Sequence, residues 1–454
     1  MKKSKLLLSL ASVSLLAGLT GCGTVQGATY TKGTPVKVGL ICLHDSESTY
    51  DANFINALKE AVKNLGDKVT FEENCLLTGV AESQDCYDAA KDLVKKGCNV
   101  IFADSFGHQE FMLKAAKEWP TVQFCHATGT NAKTANLKNY HNAFASIYEG
   151  RYLAGYAAGL RLIADFTVAN PDSEPEDFPA TKVGYVGAFT YAEVVSGYTA
   201  WFQGVRGALE DNGADPSKVT MDVQFTGSWY DQKEEASAAD ALIKRGAVLV
   251  SQHADSMGAP GTCETAGIPN VTYNIETGDK CPNTYLAYSR INWAPYYENV
   301  VKSMFDGKEG FEGEKNSNWT GTLATKSVEY NVNWNNVAKN YPELAKEIMI
   351  TAMKTEYSAV ELAISTGVRK VFDTSKFTLS ATAYADAINA GTLALTEDGH
   401  VTKYLADTDG DFAGDTDVIV NNLGGVSFFN ESYECSAPYF DLRVEGINLL
   451  NEKY

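Results

Sequence analysis

Rings and polar side chains gather in short clusters along this chain, each placed directly after a run that reads as a β-strand. His44-Asp45-Ser46-Glu47-Ser48-Thr49-Tyr50-Asp51 is the first, and Ser105-Phe106-Gly107-His108 and His126-Ala127-Thr128-Gly129 follow. Phe189-Thr190-Tyr191-Ala192-Glu193, Ser228-Trp229-Tyr230-Asp231 and His253-Ala254-Asp255-Ser256 come next, with Tyr273-Asn274-Ile275-Glu276 and Asn292-Trp293-Ala294-Pro295-Tyr296-Tyr297 last. In an open α/β sheet the ligand crevice lies beyond the carboxyl ends of the strands. A flat heterocycle needs faces to stack on and donors or acceptors for its edge, and rings beside Asp and Asn offer both. Single members also have plainer roles: Ser105, Asp231 and Ser256 precede helical patterns and suit N-caps. The concentration at strand ends carries more weight than any one residue.

Other chemistries lack their motifs. No GxxxxGK[ST] occurs, and no GxGxxG follows a strand and opens a helix, so no phosphate cradle is encoded. There is no GxSxG elbow, and none of the histidines (His44, His108, His126, His141, His253, His400) forms an HExxH pair. Asp407-Thr408-Asp409-Gly410-Asp411 resembles half a calcium loop, but Phe412 and Val418 occupy the positions where that loop requires Gly and Glu. It reads as a solvated acidic turn, so neither a metal nor a cofactor is expected.

The elements that must position the clusters alternate. Strand-like runs at 36–43, 69–73, 100–104, 122–126 and 143–147 are separated by helical patterns such as Phe54-Ile55-Leu58-Ala61-Val62. A long helix over 148–163 follows. The pattern then restarts at 182–187, with helix 194–209, strand 219–225, helix 234–244 and strands at 248–252 and 270–273. Such alternation implies βαβ crossovers and parallel sheets, here as two Rossmann-like lobes. Further expectations are a strand at 286–291, helices at 295–304 and 341–365, and a loop over 307–318.

The chain has 454 residues, 44% hydrophobic, with 38 Lys+Arg against 57 Asp+Glu for a net charge of −19. That apolar share excludes low-complexity disorder, and the acid excess argues against nucleic-acid binding. Lys2, Lys3 and Lys5 precede an apolar run over 6–19, too short for the ~20 residues that span a bilayer. It ends in Leu19-Thr20-Gly21-Cys22, which resembles a bacterial lipoprotein box. The expectation is a signal peptide over 1–21, a lipid on Cys22 and a polar tether over 22–34. Export permits disulfides. Cys75/Cys86 and Cys263/Cys281 are spaced to close short loops, whereas Cys42 and Cys125 lie in apolar runs that suit buried thiols.

Several segments resemble the basic membrane protein (BMP) family of purine-receptor-like substrate-binding lipoproteins of ABC transporters. They include Ile101-Phe102-Ala103-Asp104-Ser105-Phe106-Gly107, Phe124-Cys125-His126-Ala127-Thr128-Gly129 and Tyr148-Glu149-Gly150-Arg151-Tyr152-Leu153-Ala154-Gly155. Gly184-Tyr185-Val186-Gly187-Ala188-Phe189, Ser228-Trp229-Tyr230-Asp231, Gln252-His253-Ala254-Asp255-Ser256 and Asn292-Trp293-Ala294-Pro295-Tyr296-Tyr297 continue in family order. The resemblance runs from about 36 to about 372. It implies an α/β type I periplasmic-binding-protein fold, two lobes joined by a hinge, with a purine nucleoside or base held between rings.

Carried over by position, Tyr50, Phe106 and Trp229 are stacking candidates and Asp231, Asp255 and Asn274 polar contacts, with Trp293 completing the set. Asn274 stands where nucleoside-binding members carry an Asp for the ribose, and Ser46–Asn53 replaces their Asp-Asp-Lys-Ser-Phe-Asn. That departure shifts the expectation toward a free base or another flat heterocycle such as a flavin. The expected lobes are 35–148 with 272–313 and 149–271 with 314–400, and 401–454 forms an extension. The resulting reading is a monomeric, lipid-anchored, extracytoplasmic receptor that hands an unchanged ligand to an ABC permease. A sensor partner or a surface nucleoside-processing enzyme are its rivals.

Overall fold

The computed structural model describes residues 25–307, 318–408, 413–433 and 439–454. The leader and Cys22, residues 409–412 of the acidic turn, nearly all of the 307–318 loop and Cys435 lie outside the described residues.

Two parallel-dominated sheets form the frame. The first runs β12-β6-β5-β4-β1-β2, from Val36–Ile41 (β1), Val69–Thr70 (β2), Val100–Ala103 (β4), Gln123–Ala127 (β5), Tyr140–Ala145 (β6) and Asn318–Gly321 (β12), with Leu76–Leu77 (β3) also on β1. The second runs from Val328–Val332 (β13) through Tyr285–Ile291 (β11), Asn270–Tyr273 (β10), Val250–His253 (β9) and Thr181–Gly187 (β7) to Val219–Phe225 (β8). A last strand, Ile447–Leu449, pairs in parallel on the outer edge of β8. Strands covered on both faces need continuous apolar runs, and β4, Val-Ile-Phe-Ala, is buried at every position.

Helices cover both faces of each sheet. Thr49–Leu65 (α1) and Ala294–Asp306 (α9) lie on one side of the first sheet, and Gln84–Lys95 (α2) and Gln109–Glu118 (α3) on the other. Ala132–Ala135 (α4) is a single turn. The second sheet sits between Ile147–Ala169 (α5) with Ala192–Asp211 (α6) and Gln232–Lys244 (α7) with Gly258–Ala266 (α8). The helix α1 shows how the sequence sets these limits. Ser48 caps it by accepting from the Asp51 amide, Phe54, Ile55, Leu58 and Ala61 form the buried stripe, and Gly66 ends it at φ 59°.

The chain crosses between lobes after β6, after β11 and between β12 and β13. Hydrogen bonds hold these crossings, from Ser146 N to Gly321 O (2.7 Å) and from Asn292 N to Ser327 O (2.8 Å). The crossings correct the expected lobe limits. Tyr285–Ile291, assigned to the first lobe within 272–313, runs in the second sheet because it pairs with β10 and β13. Asn318–Gly321, assigned to the second lobe, pairs with β6 in the first.

The 401–454 stretch is equally no separate appendage. Val401, Val418, Phe429, Phe440, Leu442 and Val444 are buried in the core that α5 and α6 share. Cysteine pairing differs from the expected loops too. All seven described cysteines are free and buried, and Cys75 lies 3.7 Å from Cys98, Sγ to Sγ, rather than on Cys86.

Glycines let α5 and α6 touch backbone to backbone. A Cβ on Gly155 would stand 2.0 Å from Trp201 O, and one on Gly204 would stand 2.0 Å from Tyr152 O. Backbone cannot yield as a flexible side-chain end can, so overpacking here is costly. Gly204→Ala is expected to lose about 1–3 kcal/mol or more in urea unfolding. Gly261→Ala, in α8 with open space around it, is expected to be neutral or slightly stabilising. Equal effects from the two substitutions would contradict the close crossing.

Candidate ligand-binding site

The carboxyl ends of both sheets converge on one pocket between the lobes, whose empty space, open solvent included, is about 420 Å³. The first lobe supplies Leu43, His44, Tyr50, Asp51, Ser105, Phe106 and Thr128, and the second supplies Glu193, Trp229, His253, Asp255 and Tyr273. The lobes meet around it. Thr49 N donates to Asp255 O across the cleft (3.0 Å), His44 faces Tyr230 with ring centroids 5.7 Å apart, and Phe106 faces Tyr191 at 6.3 Å. This is a closed cleft.

Of the residues expected from sequence, Tyr50, Phe106, Trp229 and Asp255 line the cavity. The hydroxyl of Tyr50 donates to Asp104 O (2.7 Å), which fixes its ring. Phe106 is 42% exposed at the mouth, while Trp229 packs edge-on against Phe189 (5.2 Å), which in turn stacks on Tyr191 (5.0 Å).

The other three expected residues do not line the cavity. Asp231 caps α7, accepting from the amides of Lys233 and Glu234, so its plainer role prevails. Asn274 sits one layer behind, where its Nδ2 donates to Asp255 Oδ1 (3.1 Å). Trp293 is 2% exposed and stacks on Phe54 at 4.5 Å in the first lobe's core. Asp51, Glu193, His253 and Tyr273 were not singled out, although every one belongs to a strand-end cluster.

Burial governs the electrostatics. Under the cavity Arg151, 1% exposed, lies over the Tyr273 ring at 3.4 Å and donates Nη1 to Gln252 O (2.9 Å), while its Nε and Nη2 have no hydrogen-bond partner. Burial pushes Glu193 up to about 7, with Arg151 opposing. Asp255 is raised well above the usual carboxylate range, by burial and then by Glu235, Asp51 and Glu193. His253, whose Nε2 lies 3.3 Å from Glu193 Oε1, is held neutral by burial and by Arg151. Asp51 differs: burial pushes it up, but bonds from His44, Ser48 and the His44 amide outweigh this and hold it below its ordinary value.

Two of the non-glycine residues with positive φ also sit here, Thr128 (64°) in the wall and Asn274 (71°) behind it. Such backbone strain persists only where surrounding structure enforces it. Cys42, Asp51 and Asp104 form a buried trio with ligand atoms within 4.8 Å of one another. Asp104 is raised well above its ordinary value, by burial and then by Asp51, and its Oδ2 is buried without a hydrogen-bond partner among the described residues.

A family model described as "Bmp: ABC transporter substrate-binding protein PnrA-like" matches residues 38–361. The chain belongs to this family. It is similar to a purine-binding protein of Brucella abortus, 32% identical over 291 residues, covering 63% of this chain and 74% of that protein. A Haloferax volcanii protein, to which glucose binding in an ABC transporter is provisionally ascribed, is 31% identical over 46% of each chain. The crystal structure of an ABC transporter solute-binding protein from Aeropyrum pernix shares the fold, at TM-score 0.55 and 15% identity over 79% of this chain and 98% of that one. The BMP resemblance and the two-lobed α/β fold read from sequence therefore hold. Among the described residues no helix is long and apolar enough to cross a membrane.

Buried carboxyls make stability pH-dependent. Glu149 and Glu235, like Glu193, are pushed up to about 7, burial being the largest cause in each. Between their ordinary value of 4.5 and about 7 the folded chain binds more protons than the unfolded one. Their contribution is thus full below 4.5 and is lost as pH rises through about 7, by roughly 1–3 kcal/mol per group. The buried neutral histidines His108, His126 and His253 act in the opposite direction at the acid end. In urea unfolding at pH 5 and pH 8, the wild type should therefore lose stability relative to Glu193→Gln as pH rises. An identical pH response of the two proteins would overturn the assignment.

Proposed function

We propose that this substrate-binding protein captures a purine base or nucleoside in its cleft and presents it, chemically unchanged, to an ABC permease. The observation that carries this is the pairing of rings (Tyr50, Phe106, Trp229) with the carboxyls of Asp51, Glu193 and Asp255 in one closed cavity. Carboxyl oxygens accept hydrogen bonds, so they suit the ring N–H, exocyclic amine and hydroxyl groups of such a ligand. A phosphate or carboxylate on the ligand would meet three acids. The Brucella abortus relative, by its name a purine binder, points the same way.

Ligand touching both lobes favours the closed state by its differential affinity, and the permease distinguishes closed from open. Titration with purine bases and nucleosides is expected to quench Trp229 fluorescence saturably at micromolar or lower concentration. Nucleoside monophosphates and glucose should produce no such change. Trp229→Ala removes one ring and should weaken binding by about 1 kcal/mol, roughly fivefold. Saturation by a flavin alone, or by glucose alone, would reassign the ligand, and release of a cleaved sugar would make the protein an enzyme.

Anchoring through a lipid on Cys22, on the extracytoplasmic face, completes the reading. It rests on the cationic start, the short apolar run and Leu19-Thr20-Gly21-Cys22. Cys22→Ala is expected to move the protein from the membrane fraction to the soluble one, and unchanged fractionation would refute a lipid there.

A further inference from the structure

The chain beyond the family match builds a second cavity. Residues 368–376, outside the matched 38–361, lie against α5 and α6 and close one side of an open space of about 1180 Å³ on the second lobe. Four cations line it (Arg206, Arg369, Lys370, Lys376) against three carboxylates (Glu210, Asp211, Asp373), a positive balance in a chain of net charge −19.

The carboxylates are already engaged. Asp211 takes Arg369 at 2.6 Å, Glu210 takes Lys376 at 2.5 Å, and Asp373 accepts from the amide (2.9 Å) and hydroxyl (2.7 Å) of Ser375. Among the described residues, Arg206 and Lys370 are left without an ion pair. Lys370 stands over the Phe428 ring at 4.4 Å. Arg206 covers the Phe202 ring at 4.3 Å and makes one bond, Nη2 to Val219 O at 3.3 Å, while its Nε is buried without a partner. Asp215 and Glu445 act on Arg206 through space and do not reach ion-pair contact.

One turn earlier on α6, Gln203 is 4% exposed and its Nε2 is also buried with no acceptor. Buried donors without acceptors are costly and rare in folded proteins. Gln203 Nε2 and Arg206 Nε, three residues apart on α6, are two such donors, and with the Lys370 ammonium in the lining of the same space they describe a receptor for several negative oxygens. A guanidinium fork, an amide N–H and a lysine match a phosphate group, whose oxygens accept from several directions.

We propose that this cavity binds a small phosphate-bearing anion, held by Arg206 and Gln203 of α6 and by Lys370 of the covering segment. The site is independent of the cleft ligand. Its phosphate belongs either to a soluble ester or to a lipid headgroup, and two arms of one experiment separate these sources.

The full chain is titrated with inorganic phosphate and with glycerol 3-phosphate, read by calorimetry, and is floated with phosphatidylglycerol vesicles. Saturable binding of one phosphate is expected, weakened by salt and reduced about tenfold in Arg206→Gln. Lys370→Gln, at a half-buried position, should weaken it about threefold and decides the matter if Arg206→Gln fails to fold. Trp229 fluorescence should not respond to phosphate, and cleft-ligand affinity should stay unchanged in both variants, so failure here and failure of the purine reading are distinct results. Vesicle capture alone, lost in the same variants, assigns the phosphate to a headgroup. No saturable binding in either arm, or binding indifferent to both substitutions, overturns the proposal.

Discussion

Arg151 is the side chain on which the cleft depends. It leaves α5 near its start, soon after a lobe crossing, and reaches beneath the ends of β9 and β10, where it holds Gln252 O and lies over the Tyr273 ring. A buried guanidinium is costly unless opposite charge or hydrogen bonds surround it. Glu193 and Asp255 are close enough to feel it, yet no described carboxylate forms an ion pair with it. Buried carboxyls that cannot all be ionised beside one cation resolve the conflict by keeping protons, and His253 resolves it by staying neutral. The cavity of a strongly acidic protein is thereby brought toward neutrality, which favours an uncharged ligand rich in N–H and O–H groups.

That arrangement needs the helix packing beneath it. Gly155 and Gly204 allow α5 and α6 to touch, and Gly197 leaves room on α6, since a Cβ there would stand 2.7 Å from His253 Nδ1 and 3.6 Å from Arg151 Nε. The C-terminal stretch fastens the same region from outside. Glu431, 1% exposed, accepts from Ser196 Oγ on α6 (2.9 Å), and Ser432 Oγ lies 3.1 Å from Ser146 Oγ at a crossing. The amide of Lys453 donates to Thr190 Oγ1 (2.9 Å) in the loop that carries Phe189 and Tyr191. Hinge, cavity floor and cavity rim are thus packed against the final fifty residues.

The alternation of strands and helices was legible because doubly covered strands are continuous apolar runs and their helices carry one apolar stripe. The site was legible as a pattern: clusters after β1, β4, β5, β7, β8, β9 and β10 all placed a residue in the cavity. What could not be read was which member of a cluster turns inward. Asp231 and Asp255 look alike in sequence, yet one precedes a helix whose free amides claim its carboxylate and the other ends in a buried loop. Trp293 looks like Trp229, but one caps a helix inside the core and the other flanks an open turn. Tertiary competition for each side chain decides these cases, and local sequence does not record it. Lobe exchange failed similarly, because β11 and β12 are assigned by their pairing partners.

The two cavities solve opposite problems with one lobe. In the cleft, carboxyls crowd a buried cation and protons remove the excess charge, so the space suits a neutral guest. Beside α6, cations exceed carboxylates, and no proton can be given up to correct this, since burial lowers Arg206 only to about 10. A guanidinium that stays charged at physiological pH has to find its compensation in water or in an anion. Residues 368–376 close one side of the same space and add Lys370 to its lining. That segment therefore increases the local demand for an anion, which is why the second cavity is better explained as a receptor than as a packing gap.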